Sequence, residues 1–513
     1  ENSHASTALS YADGLARADA LSSRLAGGLD GPSAALTGVS GTPAERPSGP
    51  PARRRVVAVI GDGALTGGLA YEALSNIGTA GTAVVIVLND NGRSYSPTVS
   101  RLTTATTAAG GVRDGTADQA DRTPGSFFSA LGLRYCGPVD GHDVDAVEDA
   151  LRWAARCGGP VVVHVHTVKG QGYLPAETDA EKRLHDVGPF DVATGRSKVE
   201  LPPPSYTEAF STALVAEAER RPNVVAITAA MAGPTGLLPF ARRFPDRFVD
   251  VGIAEQHAVA AAAGMAIGGL RPVVAIYSTF LNRAWDQLYY DVGLHRLPVV
   301  FCIDRAGVTG DDGPSHHGLL DLALLTKVPG MTVFAPSCYD DVAEMLRHAL
   351  DITDGPVAIR WPKTAARVDG SPGHGATGRL LRYGTGRQVC LLGLGKLVGA
   401  CEDAAERLAD RGIDASVWDV RVASPLDDVM LDDAFDHRLV VTAEDGITDG
   451  GVGSMVAAGL RRRARPGSPA PSVLTCGLPL AYLPHGKADE ILAAHRLDGA
   501  GLADDAVRAL AAL

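Results

Sequence analysis

Two continuous apolar runs, residues 56–60 (VVAVI) and 83–88 (AVVIVL), constrain this chain more than any other feature. A strand with one wet face alternates apolar and polar residues. Runs without alternation belong to strands buried on both faces, as in parallel sheets covered by helices. Parallel neighbours need a crossover, and the residues from about Leu65 to Ile77 read as the helix that supplies it. The rhythm recurs at 161–165, 224–227, 273–276, 299–303, 357–359, 389–392 and 439–442. Strand and helix in this alternation predict an α/β fold with mainly parallel sheets.

Breaks in the rhythm divide the chain. Residues 1–27 place Ala8, Leu9, Ala12, Leu15 and Ala16 at helical spacing. A Gly/Ser/Pro-rich stretch from Gly27 to about Pro51 and a Thr/Ala/Gly/Asp-rich stretch at about 100–125 read as loops. Leu201-Pro-Pro-Pro204 cannot continue a helix or a central strand. A second break falls at Asp369-Gly-Ser-Pro-Gly373. The expectation is three consecutive α/β domains, 1–200, 205–367 and 376–513, the first incomplete. The chain opens on Glu1, and its first residues read as mid-domain, the expectation for a fragment or an N-terminally trimmed product.

Composition excludes several classes. Lys+Arg 47 against Asp+Glu 59 gives a net charge of -12, which argues against a dedicated nucleic-acid binder. No apolar run approaches the roughly 18 residues that a membrane helix needs. With no signal-like N-terminus, the expected location is cytoplasmic. Cys136, Cys157, Cys302, Cys338, Cys390, Cys401 and Cys476 are scattered and never form a CxxC pair, so they read as reduced, buried thiols.

Chemistry is concentrated in two short strings. Gly61-Asp62-Gly63 follows one apolar run and Asn89-Asp90-Asn91 follows the next, so both are expected at the carboxyl ends of strands, where open α/β sheets bind ligands. Glycines admit a phosphate, and a helix starting near Ala64 would offer free N–H groups. Asp62 and Asn91, 29 residues apart, supply hard oxygen ligands suited to Mg²⁺ shared with a diphosphate. Either string alone is an ordinary turn; the pair in this strand context is not. A third string, Asp250-Val-Gly-Ile-Ala-Glu-Gln-His257, sets Glu255 before an Ala/Gly-rich helix, and Phe280 follows in Tyr277-Ser-Thr-Phe280.

The paired strings resemble the thiamine diphosphate signature. By that resemblance the magnesium ligands are Asp62, Asn91 and the carbonyl of Arg93. Glu255 becomes the acid that activates the cofactor, and Phe280 an aromatic platform for its pyrimidine ring. More specifically, IAEQHA, AIYSTFLNRAWDQ, IDRAGVTGDDGPSHHG, NSHASTALSYADGLA, VDGHD (139–143) and KGQGY (169–173) resemble 1-deoxy-D-xylulose-5-phosphate synthases, a transketolase-like family. NDNGRSY is similar to actinobacterial members. The likeness covers nearly the whole chain.

The family implies condensation of pyruvate with D-glyceraldehyde 3-phosphate, with loss of CO₂, by a homodimer holding thiamine diphosphate and Mg²⁺. It places His4, Ser6, Gly61, Gly63 and Ala64 with Asp62 and Asn91 at the cofactor. Tyr277, Arg283, Arg305 and Lys363 fall at substrate positions, and His185, Asp312 and His316 near the reacting carbons. Cationic groups suit a carboxylate and a phosphate. Two departures stand out. Lys363 replaces an arginine of enterobacterial members and Thr364 a glycine. About a hundred residues that the family carries before the string at Ser3 are not in this sequence, which leaves a partner N-terminal chain or a non-catalytic remnant as alternatives, besides a related carboligase with another acceptor.

Overall fold

A computed structural model describes residues 3–27, 55–100, 124–198, 203–368 and 377–513. The linkers expected at Gly27–Pro51, 100–125 and 369–373 lie almost wholly outside these residues. The chain divides into two compact units, Glu1–Ser197 and Lys198–Leu513.

The first unit is built on a four-stranded sheet in the order β1-β2-β4-β3: β1 Val56–Gly61, β2 Val84–Asp90, β3 Arg134–Asp140 and β4 Val161–His166. All its pairings are parallel. The helices Ala8–Gly27, Gly68–Ala80 and Pro124–Ala130 share an apolar layer with the sheet, through Leu9, Leu74, Ile77 and Phe128. The helix Val144–Arg156 closes the other face through Ala150 and Ala154, and its N-cap is Asp143 accepting from Ala146 N at 3.1 Å.

Two expectations need correction. The single crossover helix from Leu65 to Ile77 is instead one turn, Asp62–Leu65, and a separate helix, Gly68–Ala80. Between them Gly67 is extended, at φ −74 and ψ 141, and serves as the N-cap of the second helix. The reading of both apolar runs as buried on two faces holds for β2 but not for β1. Val57 and Val59 are 53% and 65% exposed, because β1 is the edge strand and the described helices cover only its Ala58/Ile60 face.

The second unit holds two sheets. Seven strands run in the order β14-β9-β10-β8-β7-β5-β6: β5 Val224–Thr228, β6 Phe248–Asp250, β7 Arg271–Tyr277, β8 Val300–Asp304, β9 Thr332–Phe334, β10 Val357–Arg360 and β14 Val422–Ser424. Five run in the order β11-β13-β12-β15-β16: β11 Arg379–Arg382, β12 Val389–Gly393, β13 Ala415–Asp419, β15 Leu439–Ile447 and β16 Ser472–Leu478. Strand pairs are parallel except β14 with β9 and β11 with β13. Strand β14, Val422–Ser424, lies between strands of the five-stranded sheet in sequence but pairs with β9, Thr332–Phe334, of the seven-stranded one. One apolar cluster joins Val274, Phe301 and Val333 to Leu392, Trp418 and Val440. This is why residues on either side of 369–376 form a single unit. No described helix is long and apolar enough to cross a membrane.

Buried ions sit where the two sheets meet. Arg360, at the end of β10 (Val357–Arg360), is 2% exposed and donates to Asp321 at 2.8 Å and Asp445 at 2.7 Å. Glu444 beside them accepts from Val452 N and Gly453 N, and burial pushes its carboxyl up to about 7. Replacing a buried ion pair by apolar groups is often harmless, but removing one partner strands the other. Arg360→Met should therefore cost about 3–5 kcal/mol. Equilibrium denaturation of both proteins checks this, and an unchanged midpoint would show that the carboxylates do not depend on Arg360.

Candidate active site

Parallel pairing of β1 with β2 sets Gly61 opposite Asn89. Both strings thus leave the sheet side by side at its carboxyl edge. Asp62 is 1% exposed; its Oδ1 accepts from Asn91 N at 3.3 Å and its Oδ2 from the Thr98 hydroxyl. Burial pushes the Asp62 carboxyl above its ordinary value against the opposing effect of these bonds. Asn91 Oδ1 accepts from Arg93 N at 3.2 Å, and Thr98 N donates to Gly92 O at 2.9 Å, so residues 91–98 form a closed loop.

The loop is also held from below. Asp90, fully buried, bonds His164 Nε2 at 3.0 Å, whose Nδ1 meets the Tyr135 hydroxyl at 2.8 Å; Thr167 donates to Asn89 Oδ1 at 2.6 Å. Ser6, left-handed at φ 72 and 3% exposed, donates to Ala64 O at 2.5 Å, which docks the string around His4 on the turn Asp62–Leu65. Gly63 O accepts from Thr66. Gly61 has an ordinary φ of −80, and a single-turn helix brings little dipole. His185 lies on the same unit, 2.6 Å from Lys169 Nζ through Nδ1.

The second unit gathers the other residues. Glu255 is the first residue of the helix Glu255–Ile267, 3% exposed, with Arg283 Nη1 3.6 Å from its Oε2. The Tyr277 and Phe280 rings stack in parallel, 5.6 Å apart with 5° between planes, and the edge of His316 meets Phe280 at 5.6 Å. Arg305 covers the Tyr277 ring at 4.4 Å and pairs with Asp304 at 2.9 Å. Burial alone would lower the Arg305 guanidinium, but Asp304 beside it more than offsets this and raises it. Asp312 and Lys363 pair with each other at 2.6 Å.

Two glycines fix the loop that carries Asp312 and His316. Gly307 N donates to Gly318 O at 2.9 Å and Gly318 N to Gly307 O at 2.7 Å. A Cβ on Gly307 would collide with the Asp445 carboxylate, and one on Gly318 with the Ser278 side chain and Arg305 O. Thr279 adds a bond to Ser315 O at 2.9 Å.

Sequence reasoning overlooked Thr98, Tyr95, Lys169 and Asp304. Lys169, Tyr95 and Asp304 lie inside strings quoted for the resemblance, whereas Thr98 carries no signal of its own.

Matches to known families place this parallel α/β architecture among the transketolase-type transferases. A model described as the transketolase pyrimidine-binding domain matches residues 203–368, and one for the transketolase C-terminal domain matches 378–502. A third, described as 1-deoxy-D-xylulose-5-phosphate synthase, matches 32–114 and 108–167. Proteins named 1-deoxy-D-xylulose-5-phosphate synthase are similar throughout. That of Mycolicibacterium paratuberculosis is 46% identical over 532 residues, covering 96% of this chain and 78% of the relative. That of Parafrankia sp. is 44% identical over 548 residues, covering 100% and 79%. The chain belongs to the 1-deoxy-D-xylulose-5-phosphate synthase family. A solved structure titled a split gene transketolase, inactive beta4 tetramer, is similar at TM-score 0.54 and 30% identity, covering 60% of this chain and 99% of that one.

Because both glycine positions are filled by neighbours, Gly318→Ala should overpack the loop at a cost of about 1–3 kcal/mol. Denaturation midpoints measure it; a variant as stable as the parent would mean that Ser278 and the Arg305 carbonyl give way to the added methyl.

Proposed function

We propose that the chain condenses pyruvate with D-glyceraldehyde 3-phosphate, with loss of CO₂, to give 1-deoxy-D-xylulose 5-phosphate, using thiamine diphosphate and Mg²⁺. On this reading it works as a cytoplasmic homodimer, domains 1–200, 205–367 and 376–513 divide the task, and the product feeds isoprenoid precursor and thiamine synthesis. The observation that carries the reading is the buried Asp62 carboxylate bonded to Asn91 across adjacent strand ends, in a chain of this family.

The residues present fit a magnesium diphosphate. Asp62, Asn91 Oδ1 and the Arg93 carbonyl are hard oxygen donors of the kind Mg²⁺ takes. Each Asp62 oxygen spends one lone pair on Asn91 N or Thr98 and keeps another. A divalent cation is also the partner that would hold a buried carboxyl ionised. His4, Ser6, Gly61, Gly63 and Ala64 are assigned to the cofactor around that centre. When bound, thiamine diphosphate supplies an electron sink that no side chain offers.

The remaining roles fall to the chain's own groups. Glu255 is the acid that activates the cofactor through its buried carboxyl, and Phe280 presents a ring face. Arg283, Arg305 and Lys363, with Tyr277, bind the carboxylate and phosphate of the substrates. His185, Asp312 and His316 meet the reacting carbons.

Glu255→Ala should lower turnover by about 10²–10⁴-fold while cofactor binding, read by circular dichroism, survives. Asp62→Ala should instead raise the cofactor and Mg²⁺ concentrations needed. Equal loss of cofactor binding in both variants would refute this division. Cofactor binding by the unaltered protein without pyruvate-dependent CO₂ release would overturn the reading, and turnover with a different aldehyde alone would make the chain a related carboligase.

A further inference from the structure

Of three consecutive residues beyond Asn91, Arg93 and Tyr95 reach the segment that carries His185, and Ser94 reaches Lys169 beside it. The Arg93 guanidinium donates to Glu181 O at 2.6 Å and Ala180 O at 3.4 Å. Ser94 O accepts from Lys169 Nζ at 2.7 Å. The Tyr95 ring lies 4.2 Å from the His185 imidazole, and its hydroxyl donates to Asp186 at 3.2 Å. The segment needs this support, since Arg183, Leu184 and Asp186 all hold left-handed φ values of 55, 53 and 56. Asp179 caps it, accepting from Glu181 N at 3.0 Å and Leu184 N at 2.8 Å.

Lys169 adds a constraint of a different kind. Its Nζ lies 2.6 Å from His185 Nδ1. An ammonium donates and cannot accept, so Nδ1 must be the acceptor. A neutral imidazole in that bond carries its proton on Nε2.

We propose that Lys169 is a positioning residue that locks His185 in the Nε2–H tautomer, so that His185 offers the substrate a hydrogen-bond donor and not a base. This rests on the reading of His185 as a group that meets the reacting carbons. The charged and titratable groups facing the imidazole are Lys169, Asp186 and Lys182, with the Tyr95 ring packed on it. Burial, and then the Lys169 charge, hold His185 below its ordinary value. Removing that charge lets it rise, so the His185 titration followed by its ¹⁵N shifts should move to higher pH.

The test compares Lys169→Met, Lys169→Arg, His185→Asn and the Met/Asn double variant in the full chain with thiamine diphosphate and Mg²⁺. Lys169→Met should lose on the order of 10- to 100-fold in kcat, keep its cofactor affinity, and shift the His185 titration upward. Lys169→Arg, which still donates, should restore most of the rate. The double variant should fall no further than His185→Asn. ¹⁵N spectra of histidine-labelled protein, assigned with His185→Asn, should show unprotonated Nδ1 in the parent and a tautomer mixture in Lys169→Met. A fully active Lys169→Met beside an impaired His185→Asn would overturn the proposal and leave the role of His185 standing. A fully active His185→Asn would remove that role itself. Loss of cofactor affinity in Lys169→Met would make Lys169 a diphosphate ligand and overturn the proposal.

Discussion

The parallel register that sets Gly61 opposite Asn89 is the constraint on which the first unit's chemistry depends. Side chains alternate faces along a strand, so a one-residue slip would turn each inward residue outward. Ala58 and Ile60, and Val84, Ile86 and Leu88 opposite them, are buried in one apolar layer and oppose any slip. With the register held, Asp62 and Asn91 emerge next to each other. The Asn91 N–H then reaches Asp62 without the long side-chain excursion that would leave either group poorly ordered. The helix break at Gly67-Gly68 serves the same geometry, because a continuous helix from Asp62 would carry the chain directly away from the strand end.

Burying acids is costly, and the two units manage it differently. In the first, Asp90 is matched by His164, whose other ring nitrogen meets the Tyr135 hydroxyl, while Asp62 accepts from Thr98 and the Asn91 amide. In the second, several buried carboxylates are matched by guanidinium groups, Asp321 and Asp445 by Arg360, Asp341 by Arg421 and Asp304 by Arg305, while Glu444 accepts from the backbone N–H groups of Val452 and Gly453. Planar guanidinium forks satisfy carboxylates in fixed directions. Those pairs fix orientation more than they add stability.

How far the sequence foretold this follows from the range of the interactions. Strands with uninterrupted apolar runs, β2, β4, β5 and β8 among them, stand within a residue or two of their expected ends. Strand β3, Arg134–Asp140, escaped because RYCGPVD has neither an apolar run nor a clean alternation; it is a largely exposed edge strand. Strand β14 escaped because its pairing with β9 joins residues far apart in sequence. At the site, residue types at fixed local spacing could be read, as with Asp62 and Asn91. Thr98 and Tyr95 could not, because each acts only once the loop has folded back, Thr98 onto a residue 36 positions earlier. Arg305's left-handed backbone is likewise invisible in composition, being imposed by Asp304, Tyr277 and Pro234 O around its side chain.

The Gly307–Gly318 bridge shows why a buried ion cluster and a reactive loop belong to one argument. Gly307 lies against Asp445, the acid that Arg360 holds. Gly318 lies against Ser278, the residue after the end of β7, Arg271–Tyr277, which delivers Tyr277 and Phe280 to the site. Ala306 N adds a bond to Trp361 O, immediately after Arg360. The loop between the glycines therefore cannot move at its base without disturbing either the Arg360 ions or the end of β7. Its middle, where Asp312 meets Lys363, is tied by a partly exposed pair, with side chains 28% and 39% exposed. Partly exposed pairs are weak and buried ones are not easily remade. Rigidity is thus graded along one loop: fixed where it meets Tyr277 and Arg305, and cheaply rearranged around Asp312 and Lys363. Stability of that kind, high at the base and low at the tip, is what a loop needs if it is to hold aromatic and cationic groups in place while polar groups exchange partners.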